Sequence, residues 1–247
     1  MKWNIGCSGF SYREWKGEFY PEKLPQSKWF AFYCEHFNTL ELNASFYKFP
    51  SWLTLNNWHK KSPDDFCFSL KANRLITHYK QLIDTETILS DFYKTCREGL
   101  QEKLGAILFQ FPPKFIYTQD RLQRIISGLD NSFTNVVEFR DTGWWCEDVF
   151  KRLADHKIIF CGASYPHLPD FVNKNDETIY YRFHGIPKIY YSAYEEEKIQ
   201  TFADSILSAN NAKQVYCYFN NTATMAALDN ARYLQKYTNN YIRKLKK

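Results

Sequence analysis

The sequence predicts an α/β fold, a (β/α)8 TIM-like barrel forming one domain. Three observations carry this reading. Short runs rich in β-branched and aromatic residues recur along the chain, most of them separated by segments with apolar residues at helical spacing. Strands that alternate with helices pair in parallel, because a parallel partner is reached only by a crossover. Eight such units in 247 residues fit the size of that barrel. An open doubly wound sheet would bring a glycine-rich phosphate fingerprint after its first strand, where GCSGF offers only Gly6 and Gly9.

The strand-like runs cover residues 3–9, 39–46, 66–73, 105–112, 135–140, 157–164, 179–185 and 214–221. Ser27 is placed to cap a helix over 28–37, and Ser51 one over 52–60. Thr85 precedes a helical stretch to about Leu100, and Thr118 opens another in TQDRLQRIISGLD. Residues 146–156 form a short amphipathic segment, and 193–209 and 223–237 are the clearest helices. After the sixth strand, YPHLPDFVNKNDE holds Pro166 and Pro169, so the sixth helix is expected to be short or missing. There is no linker, low-complexity segment or repeat beyond the strand–helix rhythm, and one domain spans 1–247.

With 45% hydrophobic and 24% charged residues the chain reads as soluble and globular. Net charge is +5, but Arg243, Lys244, Lys246 and Lys247 supply four of those charges, so the body is near neutral. A nucleic-acid domain is usually more basic. The seven cysteines form no CxxC pair and are expected as reduced core thiols in a cytoplasmic protein. Strand-like sequence begins at Trp3, so no signal peptide is expected, and no apolar run reaches the ~18 residues of a membrane span.

Period-two alternation sorts the side chains of each strand. Leu40, Leu42, Ala44 and Phe46 oppose Glu41, Asn43 and Ser45; Phe66, Phe68, Leu70 and Ala72 oppose Cys67, Ser69, Lys71 and Asn73. Val137 and Phe139 oppose Val136, Glu138 and Arg140, while Tyr181 and Phe183 oppose Tyr180, Arg182 and His184. Gln110 ends the fourth strand, and Asn220 and Asn221 end the eighth. In a barrel the polar face opens at the carboxyl ends, where active sites of this fold lie. One charge at a strand end is commonly just solvated or salt-bridged. Polar residues at corresponding places on at least five strands point to a site.

The same stretches resemble one family. GCSGFSYREWKGEFYP, ELNASFY, FSLKANRLITH, FQFPPKF, VEFRDTGWW, YYRFHG and YFNNT, in this order over about residues 3–237, are similar to the YecE-like family, the domain of unknown function 72. The resemblance implies a TIM-like barrel and a cytoplasmic protein, and supplies no established activity. The family's characteristic residues fall here on Tyr12, Trp15, Glu41, Asn43, Lys71, His78, Gln110, Glu138, Arg140, Trp144, Arg182, His184, Asn220 and Asn221. Ala44 stands where the family often has a small hydroxyl residue, and Gly143 where serine often precedes the tryptophan.

Chemically, Glu138 and Glu41 are candidates for proton transfer, which needs two carboxylates in differing environments. Lys71 is the third catalytic candidate, protonated to hold an anion; a Schiff base is the alternative. Arg140, Arg182, His184, Asn43, Gln110, Asn220, Asn221, Tyr12, Trp15, His78 and Trp144 are candidates for substrate binding. The N-terminus of the last helix offers further donors to an anion, unless Asn221 or Thr222 simply caps it. The tryptophans, with Tyr12, Phe19, Tyr190, Tyr191 and Tyr194, either stack on a ligand or pack on one another. No cofactor is expected; one divalent metal on Glu41, Glu138, His184 and His78 is the alternative. Of the other histidines, His36, His59 and His156 read as surface groups and His167 as a loop residue of no assigned use, and Cys7 reads as core.

The expected function is an enzyme with hydrolase- or isomerase-like acid–base chemistry on a small anionic substrate, a phosphate- or carboxylate-bearing sugar or nucleotide. A nucleic-acid-binding or -processing barrel and a non-catalytic ligand-binding barrel are the alternatives. No membrane partner is expected.

Overall fold

The computed structural model describes residues 1–174, 176–209 and 211–245, so Lys246 and Lys247 of the basic terminus lie outside the described residues. The strands are β1 Lys2–Cys7, β2 Thr39–Leu42, β3 Cys67–Lys71, β4 Leu104–Gln110, β5 Asn135–Glu138, β6 Ile158–Phe160, β7 Gly162–Ser164, β8 Thr178–Phe183 and β9 Gln214–Phe219. The α-helices are α1 Trp29–Cys34, α2 Ala44–Tyr47, α3 Trp52–Lys61, α4 Glu86–Leu100, α5 Gln119–Gly128, α6 Glu147–Asp155, α7 Glu196–Leu207 and α8 Ala226–Leu245. The chain divides into two compact units, Met1–Leu40 with Gly162–Lys247, and Glu41–Cys161.

The first unit carries the four-stranded sheet β1-β9-β8-β7, paired in parallel. The expected facing of the seventh strand holds. Tyr181 and Phe183 meet Phe202 of α7 at 4.6 and 4.9 Å between ring centroids, and Phe183 stacks on Phe219 at 4.7 Å. On the opposite face Tyr180 and Arg182 stand in register with Tyr216 and Tyr218. Gly6 sits where a Cβ would lie 2.3 Å from the Thr39 carbonyl oxygen, so β1 tolerates no side chain there.

The second unit carries the sheet β2-β3-β4-β5-β6, in which β3 to β6 pair in parallel. Its apolar face meets helices: Phe68 with Trp58 of α3, Phe109 with Tyr93 of α4, and Phe160 with Phe150 of α6. Lys103, only 4% exposed, donates from Nζ to the His59 and Ser62 carbonyls and to Ser62 Oγ, which satisfies its buried charge and the end of α3 together.

Two caps are as expected: Ser51 Oγ accepts from Thr54 N and Thr118 Oγ1 from Arg121 N. Ser27 caps nothing, because Pro25 leads into a 3-10 turn, Gln26–Lys28, ahead of α1. Thr85 precedes α4 without a side-chain cap. Where one sixth strand was expected the chain makes two, β6 and β7, in different sheets. No helix occurs among the described residues of 165–177. The second strand stops at Leu42, and Ala44–Tyr47 turn into α2, so the alternation read through Phe46 ends early. The last helix starts at Ala226, later than the expected 223, and runs further than 237. Among the described residues no helix is long and apolar enough to cross a membrane. No described cysteine is disulfide-bonded; five of the seven are buried, Cys34 is half-buried and Cys146 is exposed just before α6.

Candidate functional site

In the second unit, Lys71, Gln110 and Glu138 are each the last residue of their strand, β3, β4 and β5. In open parallel sheets ligands bind beyond the carboxyl ends. Gln110 and Glu138 are register partners. Glu138 is fully buried and its Oε1 receives a hydrogen bond from Arg140 Nη2 at 2.8 Å, so the two opposed charges neutralise each other where neither would be stable alone. Glu41, at the start of this unit, is also fully buried. The Gln110 side chain folds back, Nε2 donating to the Phe111 carbonyl at 2.5 Å.

Lys71 is positioned by α2. Ser45 Oγ donates to the Lys71 carbonyl at 2.7 Å, and Asn73 Nδ2 donates to the Ser45 carbonyl at 2.8 Å. This clamps α2 against the end of β3 and sets the Phe46 ring 4.1 Å from Lys71 Nζ, a cation–π contact. Asn43 precedes α2 and does not stand on the strand. His78 lies in a π-helical turn, Leu75–Tyr79, with its ring edge-on to Phe46 at 4.9 Å. Burial lowers its pKa to about 4, helped by the positive charges of Lys71 and Arg140. His78 is therefore a neutral imidazole at neutral pH.

The first unit has its own cluster past the carboxyl ends of β8 and β9. His184 is fully buried, and its Nδ1 shares a 2.9 Å hydrogen bond with Asn220 Nδ2. Arg182, 1% exposed, lies among the tyrosines of β8 and β9. Asn221 Nδ2 donates to the Ser192 carbonyl and to Asn230 Oδ1, while Asn230 Nδ2 donates to the Tyr194 carbonyl. Asn221 thus ties the loop after β8 to α8 and caps no helix. At the α8 entrance, Ala223 N donates to the Tyr190 carbonyl and Ala226 N to Thr224 Oγ1. These two backbone donors of the α8 entrance are used by the protein itself.

The tryptophans take the second of the two expected arrangements and pack on other aromatic rings. Trp15 is fully buried in a 3-10 turn, Arg13–Trp15, packed on Tyr12, Phe19 and Tyr20, with Nε1 donating to the Thr224 carbonyl. Tyr12 donates to the Ser8 carbonyl at 2.6 Å. Trp144 is fully buried and stacks on Phe139 at 3.9 Å and Phe115 at 5.5 Å. Both indoles order loops by packing, and neither presents an open face. Of the other aromatics, Tyr194 is buried, while Tyr190 and Tyr191 are about half exposed.

Among the described residues no group of three His, Cys, Asp or Glu side chains gathers as a metal site. His36 and His156 are exposed, and His59 is paired with Glu102 at 2.9 Å. A cavity of about 620 Å³ lies between α4 and α5, but Arg97 there donates to Ser132 Oγ and covers Phe133, and Arg124 donates to the Gln81 carbonyl. Sequence reasoning missed Phe46, Tyr47, Arg74 and Tyr79, which adjoin Lys71 and His78. The small hydroxyl and amide residues of ELNASF were the available signal that a strand ends there.

The sequence model of a family described as "protein of unknown function DUF72" matches residues 4–247. The chain belongs to the DUF72 family. UPF0759 protein YunF of Bacillus subtilis is 23% identical over 261 residues, covering 92% of each protein. UPF0759 protein YecE of Escherichia coli is 28% identical over 109 residues, 44% of this chain and 40% of YecE. A DUF72 family protein of Thermotoga maritima of known crystal structure is 27% identical with a TM-score of 0.87, covering 97% of this chain and 100% of that one. The DUF72 family protein of Enterococcus faecalis shares the fold at 20% identity, with a TM-score of 0.81 over 96% of each chain.

Proposed function

We propose that the protein is an enzyme acting on a small anionic compound, phosphate- or carboxylate-bearing, by acid–base chemistry at the carboxyl ends of its strands. The observation that carries this reading is the buried Glu138–Arg140 pair at 2.8 Å beside the positive field of Lys71 and Arg140 that bears on His78. Such a field attracts an anion, and a planar guanidinium can grip two of its oxygens. Lys71 and Arg140 hold the anion. Glu138, a carboxylate beside that grip, accepts the proton, and Glu41 is the second carboxylate of the pair. Hydrolase- or isomerase-like reactions suit this set.

The reading includes a closed TIM-like barrel in one domain. Parallel sheets of four and five strands, with the sixth strand split in two, fit eight strand–helix units. The likeness to the Thermotoga maritima protein over 97% of the chain supports a single fold throughout. A cytoplasmic setting fits cysteines that are not disulfide-bonded among the described residues.

The test is thermal stability against inorganic phosphate, sugar phosphates and small carboxylates, with Arg140→Ala alongside. A ligand at 100 times its Kd stabilises by about 2.7 kcal/mol. Wild type gains this with at least one anion and Arg140→Ala does not; Glu138→Gln then binds the hit without turning it over. If no anion stabilises the wild-type protein, the reading fails.

A further inference from the structure

Resting on that reading, we propose that the anion site is flanked by an exposed aromatic rim of Tyr47, Arg74 and Tyr79 that takes a planar base, so that the substrate is a nucleoside monophosphate. Tyr47 ends α2 and Tyr79 ends the π-helical turn, and each is 67% exposed. The Arg74 guanidinium lies over both rings, 5.8 Å from the centroid of Tyr47 and 5.6 Å from that of Tyr79. It therefore brackets two rings that would otherwise be separate surface tyrosines. Single exposed aromatics need no explanation, whereas a bracketed pair forms a patch.

The rim is continuous with the charges. Tyr47 meets Phe46 at 5.1 Å, and Phe46 in turn touches His78 at 4.9 Å and lies 4.1 Å from Lys71 Nζ. Phe46 thus links the rim to Lys71 and His78.

Charge fits as well. There is no Asp or Glu in residues 42–63 or 66–83, while Lys48, Lys71, Arg74 and Lys80 lie there. A bare sugar phosphate uses the cations and leaves the rim idle. A base stacks on tyrosine and on a guanidinium plane. A nucleic-acid strand is disfavoured because net charge is only +5, with four positive residues at the terminus.

The experiment is calorimetric titration of the full chain with AMP, UMP, ribose 5-phosphate and inorganic phosphate. Wild type binds the nucleotides about tenfold tighter than ribose 5-phosphate, the scale of one base stacked on an aromatic ring. Tyr47→Ala with Tyr79→Ala erases that preference and leaves ribose 5-phosphate unchanged, and both side chains are exposed enough to remove without unfolding the protein. Arg140→Ala weakens all four. Equal affinity for nucleotide and ribose 5-phosphate in wild type overturns the rim and leaves the anion reading standing; binding of none of the four overturns the nucleotide proposal, and the anion reading then falls only if the small carboxylates also fail to stabilise the protein. An oligothymidylate that binds tighter than UMP and fades steeply with salt overturns the rim's small-molecule role in favour of a nucleic-acid surface.

Discussion

The two units solve one problem differently. Each ends its parallel strands in polar side chains that must be satisfied. In the Met1–Leu40 and Gly162–Lys247 unit, amides do this: Asn220 with His184, and Asn221 with Asn230 and the Ser192 carbonyl. In the Glu41–Cys161 unit, charges do it: Glu138 with Arg140, and Lys71 over Phe46. An amide network is short-range and fixes a loop. A charge cluster projects a field, and His78 registers that field. The difference teaches where to look for ligand chemistry: where ionised groups gather at strand ends, not merely where polar groups are numerous.

The hardest test of this contrast is Glu138→Ala, which leaves Arg140 without its 2.8 Å partner in a site where the glutamate is fully buried. A loss of about 3–5 kcal/mol is expected in urea unfolding, with the Glu138→Ala/Arg140→Ala pair losing clearly less than the two singles together. Additive losses would mean that the two residues act separately.

Asn221→Ala comes next, at about 1–3 kcal/mol, because it strips partners from Asn230 and the Ser192 carbonyl. Phosphate affinity should not change. If it drops as far as in Arg140→Ala, the amide cluster binds ligand too and the contrast between the units collapses.

A smaller loss, about 1 kcal/mol, is expected for Thr118→Ala, whose hydroxyl caps α5, against no measurable loss for Ser27→Ala. Equal melting curves for these two variants would contradict the cap geometry.

A further effect is in pH. His78 titrates at about 4 in the folded protein against 6.5 for a free histidine, so between these values the unfolded chain binds more protons. Stability should therefore fall as pH drops from about 6.5 towards 4, and His78→Asn should flatten that slope. A bound phosphate, by offsetting Lys71 and Arg140, should raise the His78 pKa in an NMR titration. A value unmoved by saturating phosphate would place the anion elsewhere.

Much of this was legible in the residues. The strand–helix rhythm located both sheets, and Glu138 and Arg140 stood out because charges at the end of VVEF interrupt a run that has to be buried. Tyr47 was not legible, since ELNASFY continues an alternating pattern while the backbone leaves the strand after Leu42, and Arg74 leads into and Tyr79 ends a π-helical turn past β3 that the spacing does not announce. For Trp15 and Trp144 the sequence leaves open whether they stack on a ligand or pack on other rings, because it does not reveal which neighbours take an indole's faces; here Tyr12, Phe115 and Phe139 do. Ser51 and Ser27 look alike as caps, and only the path set by Pro25 separates them.

Cys146 gives the molecule a practical asymmetry. It is the one exposed thiol of the seven, five being shut away in the core and Cys34 half-buried, and it lies next to Trp145 and just past Trp144. Thiol reactivity requires access, so a maleimide dye should mark the native sequence chiefly at this one position. The natural protein then carries its own fluorescent reporter six residues beyond Arg140, and ligand binding can be followed without engineering a cysteine.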